Sequence, residues 1–181
     1  MLLGLPGTGG PEVGEGTCIA AGAVVIGNVR IGGRVFVAPM AVVRADEEGS
    51  AIVIEDECNV QDGAIVHALA GTRVEVRRGS SLAHGCIVHG PCTIGEDCFI
   101  GFRATVFKSV LGRGSMVMHG ALVLGVEVPP GRLVPAGALV DSQEAVEGLE
   151  PVPPELEEFR RSVRRTNVEL AERYARAEQV E

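Results

Sequence analysis

Aliphatic residues recur at every sixth position over most of this chain, and that period constrains the fold more than any other feature. Val13, Ile19, Val25, Ile31, Val37 and Val43 share one register, and Ile54, Val60 and Val66 a second. Val76, Leu82, Val88, Ile94, Ile100 and Val106 form a third, and Val110, Met116, Leu122, Val128, Val134 and Val140 a fourth. A period of six matches neither the 3.6-residue turn of a helix nor the alternation of hairpin strands. It matches a parallel β-helix of hexapeptide repeats, three to a coil, so that each coil takes about 18 residues. The span from Val13 to Val140 then predicts roughly six or seven coils.

Four places after the aliphatic residue the side chain is usually small: Val29, Val35, Ala41, Ala64, Ser80, Cys86, Cys92, Cys98, Ala104. Three walls meeting around a thin core require that alternation of one long inward residue with one small one. Cys58, Cys86, Cys92 and Cys98 take the small slot, where cysteine acts as a compact hydrophobe, while Cys18 sits one place later. An odd count of 5 cysteines without a CxxC pair points away from a disulfide framework and from a cysteine zinc site. Arg132 breaks the pattern in a Pro-Pro-Gly-Arg stretch that reads as a turn.

Composition agrees with a solenoid. The 25 Gly and 10 Pro punctuate the chain too often for a mostly helical protein, and 46 % hydrophobic residues are too many for disorder. A net charge of −8 argues against nucleic acid and against an anionic membrane surface as partners. The opening MLLGLPGTGGPEVGEG has no basic residue and no apolar run long enough for a signal peptide or a membrane span, so a cytoplasmic location is expected.

After Val140 the period stops. A short Ser142–Val146 segment and a link rich in proline (Pro151, Pro153, Pro154) lead to Leu156, Phe159, Val163, Leu170, Tyr174 and Ala177, which recur at helical spacing. Pro154 suits a first helical turn. The expected organisation is a β-helix over 1–140, then a linker and C-terminal α-helix over 141–181, with about five or six helical turns packed along the solenoid. Asn167 is the polar exception on or near the packed stripe.

Three of the 4 histidines lie close in sequence: His67, His84 and His89. His67 follows Val66 and His89 follows Val88, so both take an outward slot. They are 22 residues apart, and removing a four-residue insertion, AGTR, leaves one coil of 18. The two should therefore stack on one face about 5 Å apart, a reach suited to two ligands of one metal ion. His84 falls on the adjacent face and cannot easily join them within one chain. A threefold oligomer that packs one face against a neighbour's next face would bring His84 of one subunit to His67 and His89 of another, giving three sites per trimer. Three neutral imidazoles with an open fourth position suit zinc, which activates water near neutral pH; Fe(II) or Co(II) is compatible with the same ligands. His119 has no partner in register and is assigned to the surface.

At these residues the sequence resembles the γ-class carbonic anhydrases, both the archaeal-type enzyme and the anhydrase-like domain of a carboxysome protein. The resemblance is carried by VVRADE (Val42–Glu47), NVQDGAIVH (Asn59–His67), SLAHGCIVHGP (Ser81–Pro91), IGFRATVFKS (Ile100–Ser109), VPPGRLVPAGALVDSQ (Val128–Gln143) and TNVELAERY (Thr166–Tyr174). It implies a left-handed coil and a homotrimer acting on CO2 and bicarbonate. It further implies His67, His84 and His89 as zinc ligands, and Gln61 contacting the reacting water or bicarbonate with help from Asn167. Arg44 and Asp46 would make ionic contacts between subunits near the site, and Asp62 would help hold them. Glu47 matches the family glutamate that accepts a proton or contacts substrate. RADEEG is one residue longer before QDG than the family spacing, so Glu48 competes with Glu47 for that role. The long acidic loop that follows the first metal histidine in the archetype is here only ALAGTR, with no acid.

Three functional readings follow. The first is zinc-dependent, reversible hydration of CO2 at trimer interfaces; the second is an anhydrase-like trimeric scaffold with little or no activity. The third is a hexapeptide acyltransferase using one histidine as general base, which needs no stacked His67 and His89.

Overall fold

The computed structural model describes residues 1–177, so the last four residues of the 141–181 segment lie outside the described residues. The chain forms an all-β solenoid, a left-handed parallel β-helix of about seven coils, closed by a C-terminal helix. Three sheets make its walls. The first holds eight strands from Leu2–Leu3 to Leu139–Val140, and the second seven from Glu12–Val13 to Glu127–Val128. The third runs from Cys18–Ile19 to Arg132–Val134 and is extended by Glu150–Pro151, which pairs antiparallel. That last strand lies inside the stretch expected to be a plain linker.

Each wall contributes one inward stack. Val25, Val43, Val66, Val88, Val106, Val123 and Val140 line the first sheet, all at most 2 % exposed. Ile31, Ile54, Val76, Ile94, Leu111 and Val128 line the second, and Val37, Val60, Leu82, Ile100, Val117 and Val134 the third. Burying each of these side chains is worth about 1.5–3 kcal/mol, which is why the six-residue period holds over so many coils. The small slot is filled as expected, and burial among aliphatic neighbours pushes the Cys58, Cys86 and Cys98 thiols up to about 12.

The fourth register is corrected by the structure. Val110 and Leu122 face outward, 39 % and 41 % exposed, and the inward positions are Leu111, Val117 and Val123. The cause is a coil shortened to 17 residues: Ile94 pairs with Leu111 and Val106 with Val123. A second short coil restores the tick at Val128, Val134 and Val140. Met116 also faces out of the solenoid, yet it is fully buried because the terminal helix covers it together with Phe99 and Val152. Arg132 begins a strand rather than sitting in the turn, and its Nη1 donates to the Leu149 carbonyl at 3.3 Å.

Two insertions interrupt the coils at one corner, between the first and second sheets. Arg44 pairs with His67 across 23 residues and His67 with His89 across 22, so residues 46–50 and 69–72 loop out one above the other. The Gly71 N–H donates to the Glu48 carbonyl at 2.9 Å and joins the loops. One coil below, Gly27 at φ +80 passes so near the chain that a Cβ there would fall 1.9 Å from the Ala45 carbonyl oxygen, immediately before the first insertion.

Helix α1 (Gln143–Glu147) is capped by Ser142, whose Oγ accepts from the Ala145 N–H, and it turns Val146 and Leu149 into the end of the core. Helix α2 (Pro154–Ala177), 24 residues and about 36 Å long, lies on the outer face of the third sheet. Its most deeply buried positions are Asn167 and Ala171. Among the described residues no helix is long and apolar enough to cross a membrane.

Candidate metal centre

Strands Ile65–His67 and Ile87–His89 pair residue for residue, so His67 lies directly beside His89 on the outer face of the first sheet. Arg44 is the preceding rung and Phe107 the following one. The two imidazoles meet edge to face at 80° with centroids 4.7 Å apart, and His67 Nδ1 lies 3.0 Å from His89 Nε2. The first insertion folds acids against this pair. Glu47 Oε1 comes within 3.2 Å of His67 Nε2 and Asp46 Oδ1 within 3.7 Å, which leaves the outward-facing His67 only 8 % exposed. Glu47 Oε2 accepts from the Ala70 N–H at 2.7 Å, so one carboxylate pins both insertions together. Glu48 is exposed.

The electrostatics of this face favour a neutral His67. Desolvation lowers its pKa first, the Arg44 and His89 charges lower it further, and Glu47 and Asp46 oppose them. Neutral imidazole is the form that ligates metals. Arg44 Nη2 stands 3.2 Å from His67 Nε2 and can only donate, so that nitrogen presents its lone pair. The same nitrogen faces Glu47 Oε1 at 3.2 Å, lone pair toward lone pair. Asp46 Oδ1 and Arg44 Nε lie 3.3 Å apart without hydrogen-bond geometry, and both are buried without a hydrogen-bond partner, as is His89 Nδ1. With the His67 proton on Nδ1 directed at His89 Nε2, His89 carries its own proton on Nδ1. The one unmet acceptor here is therefore Asp46 Oδ1, and the imidazole lone pair open to a cation is that of His67 Nε2.

His84 stands apart from this pair, at the corner where the third sheet turns into the first. Its Nδ1 lies 2.9 Å from Asp62 Oδ2, and a proton held on Nδ1 by that carboxylate leaves Nε2 as the free lone pair. The His84 ring packs 5.3 Å from Phe102, one coil on. Phe102 stacks on His119 at 4.3 Å and 13°, and its N–H donates to His119 Nδ1 at 3.0 Å. His119 is thus a half-buried part of the corner and not the plain surface residue its register suggested. Gln61, 7 % exposed, donates through Nε2 to Asn59 Oδ1 at 3.0 Å, and Asn59 donates to Ser81 Oγ at 2.8 Å. Opposite, on α2, Asn167 is 8 % exposed and donates to the Val163 carbonyl at 2.9 Å. Gln61, His84, Phe102, Phe159, Thr166 and Asn167 line a cleft of about 270 Å³.

The expected site residues therefore fall into two groups on one chain. Arg44, Asp46, Glu47, His67 and His89 sit together on the first sheet, and Gln61, Asp62, His84 and Asn167 gather around the next corner. No three metal-ligating side chains converge among the described residues. Two rings were missed in the sequence. Phe102 and Phe107 each lie 18 residues after a histidine of the set, so the arithmetic that stacks His67 with His89 could have named both.

The carbonic anhydrase of Methanosarcina thermophila is 37 % identical over 93 % of this chain and 76 % of its own length. The carboxysome assembly protein CcmM of Synechococcus elongatus is 39 % identical over 84 % of this chain, but the match takes only 30 % of that protein. The chain spans less than a third of the CcmM relatives it matches. A hexapeptide transferase family protein from Anaplasma phagocytophilum, at 24 % identity, covers 96 % of this chain and 97 % of its own with a TM-score of 0.74, a likeness of fold alone. No family model matches the chain.

Proposed function

Because the chain belongs to the γ-class carbonic anhydrase family, we propose that it catalyses the reversible hydration of CO2 to bicarbonate at metal centres shared between the subunits of a homotrimer. The observation that carries this reading is the pairing of His67 with His89 on one face while His84 points from the next corner. A pairing between neighbouring chains joins these groups into a set of three histidines, with Asp62 fixing His84 and Glu47 flanking His67. Beside the histidine ladder runs a column of outward aliphatic residues, Val24, Val42, Ile65, Ile87, Leu122 and Leu139, interrupted only by Thr105. Ile65, Leu122 and Leu139 are 38–53 % exposed in the single chain, an apolar stripe that a neighbour would cover.

His67, His84 and His89 would hold zinc, with iron or cobalt compatible with the same imidazoles, and the bound ion supplies Lewis-acid activation of water at neutral pH. The chain's own residues do the rest. Gln61, fixed by Asn59 and Ser81, presents its amide to the cleft, where it orients the reacting oxygen or the departing bicarbonate. Asn167 faces the same cleft from α2 and adds a second amide. Phe102 and Phe159 give that cleft an apolar wall, enough for a substrate with almost no polarity. Glu47 accepts the proton released from water. Its carboxylate lies on His67 and is 36 % exposed, so the proton passes from it to buffer without an acidic loop.

A second reading, a trimeric scaffold of low activity, is favoured by the short acid-free loop 69–72 and by the CcmM relatives. Stopped-flow CO2 hydration by metal-quantified protein, before and after chelation, separates the two. Turnover lost on chelation and restored by metal is expected. Stoichiometric metal without turnover would leave the scaffold.

A further inference from the structure

A second cavity lies on the far flank of α2, away from the cleft at His84. It measures about 500 Å³ and is walled by Gly79, Asp97, Arg113 and Gly114, at the corner between the second and third sheets, and by Glu157, Arg160, Arg161, Arg164 and Arg165 of the helix. Five arginines face two carboxylates in a chain whose net charge is −8. Most of these guanidiniums are already committed. Arg164 holds Glu57 at 2.9 Å and Asp97 at 2.7 Å, Arg161 holds Glu157 at 3.1 Å, and Arg165 holds Glu158 at 3.1 Å. Two are not. Arg160 donates to the Gly114 carbonyl at 2.6 Å and has no carboxylate partner among the described residues. Arg113 reaches Glu96 only at 3.6 Å, in a pair open to water on both sides.

Arg160 thus brings to the cavity, from the helix, a guanidinium without a carboxylate partner among the described residues, and Arg113 brings a loosely paired one from the solenoid. The planar guanidinium fork matches phosphate oxygens in pairs. Arg160 on the helix and Arg113 on the solenoid line the cavity from two walls, so it offers donors to more than one anionic group. We propose that this groove is a binding site for a small diphosphate-bearing anion, clamped by Arg160 and Arg113. The ligand bridges α2 to the solenoid without touching the histidines, because the helix itself separates the two cavities. Its occupancy tightens the docking of the helix that carries Asn167.

The test is calorimetric titration of the full chain with inorganic pyrophosphate and, separately, orthophosphate, at 50 and 200 mM salt. Saturable binding of one pyrophosphate per chain is expected, tighter than orthophosphate and weaker at the higher salt. Arg160→Gln should lower the affinity about tenfold and Arg113→Gln about fivefold. Arg113 is 71 % exposed and does not hold α2, so its variant reports on binding even if Arg160→Gln disturbs the helix. Binding heat that persists unchanged in both variants, as chelation of a bound metal would give, overturns the proposal. So does the lack of saturable binding by the unmodified chain.

Discussion

Glu47 uses its two carboxylate oxygens for different purposes: Oε2 holds the Ala70 N–H, and Oε1 faces the His67 ring. A Glu47→Gln variant keeps an acceptor for Ala70 but loses the base. It should retain its fold and melting temperature while kcat for CO2 hydration falls about 100-fold, with partial rescue by imidazole buffer. Unchanged kcat in stopped-flow assays would move the proton-accepting role elsewhere, Glu48 first. The sequence left those two glutamates level because loop conformation lies outside the six-residue period. The period places a residue on a wall, but nothing in it places a residue within an insertion. The same limit hid the burial of His67, whose slot reads outward until the 46–50 loop is folded over it.

The docking of α2 shows what a stripe of apolar residues leaves unsaid. Leu156, Val163 and Leu170 were legible as a packed face, whereas Phe159 and Tyr174 stay 41 % and 42 % exposed and pack at the edges against Phe99 and Phe36. The polar seam beside that face was not legible, because its partners lie far away in sequence. Glu57 is its centre, contacting Arg34, Arg78 and Arg164, with its side chain only 13 % exposed. The hydrogen bond from Arg34 dominates and, with Arg78 and Arg164, lowers the Glu57 pKa against the opposing effect of burial. A carboxylate with a depressed pKa stabilises the folded state above its unfolded value near 4.5 and loses that contribution as pH falls through the lower folded value. Glu57→Gln should therefore cost about 1–2 kcal/mol at pH 7, and its deficit relative to the parent should shrink below about pH 4. Urea unfolding at both pH values measures it; a deficit independent of pH would mean that the loss comes from packing. The slip in the fourth register belongs to this scale as well. Val110 and Met116 keep the period on paper, but a corner one residue shorter shifts the wall, and only the pairing of Ile94 with Leu111 reveals it.

For the whole molecule, the solenoid was legible because a single packing decision, one long and one small inward residue per wall, is repeated coil after coil. The site was half legible. Stacking His67 on His89 needs only coil arithmetic, whereas any contact between His84 and that pair depends on a second chain that no single-chain periodicity describes. The proposed function requires each metal centre to be assembled from two subunits, and complementation is the test of that assembly. Chains carrying His84→Ala are mixed, by co-expression, with chains carrying His67→Ala and His89→Ala, and metal content and CO2 hydration of the mixed trimers are measured. Every mixed trimer retains one intact interface, so random assembly should restore roughly one quarter of the sites and of the activity, while each variant alone has none. Mixed trimers as empty and inactive as their parents, or a full metal complement on the His84→Ala chains alone, would contradict it.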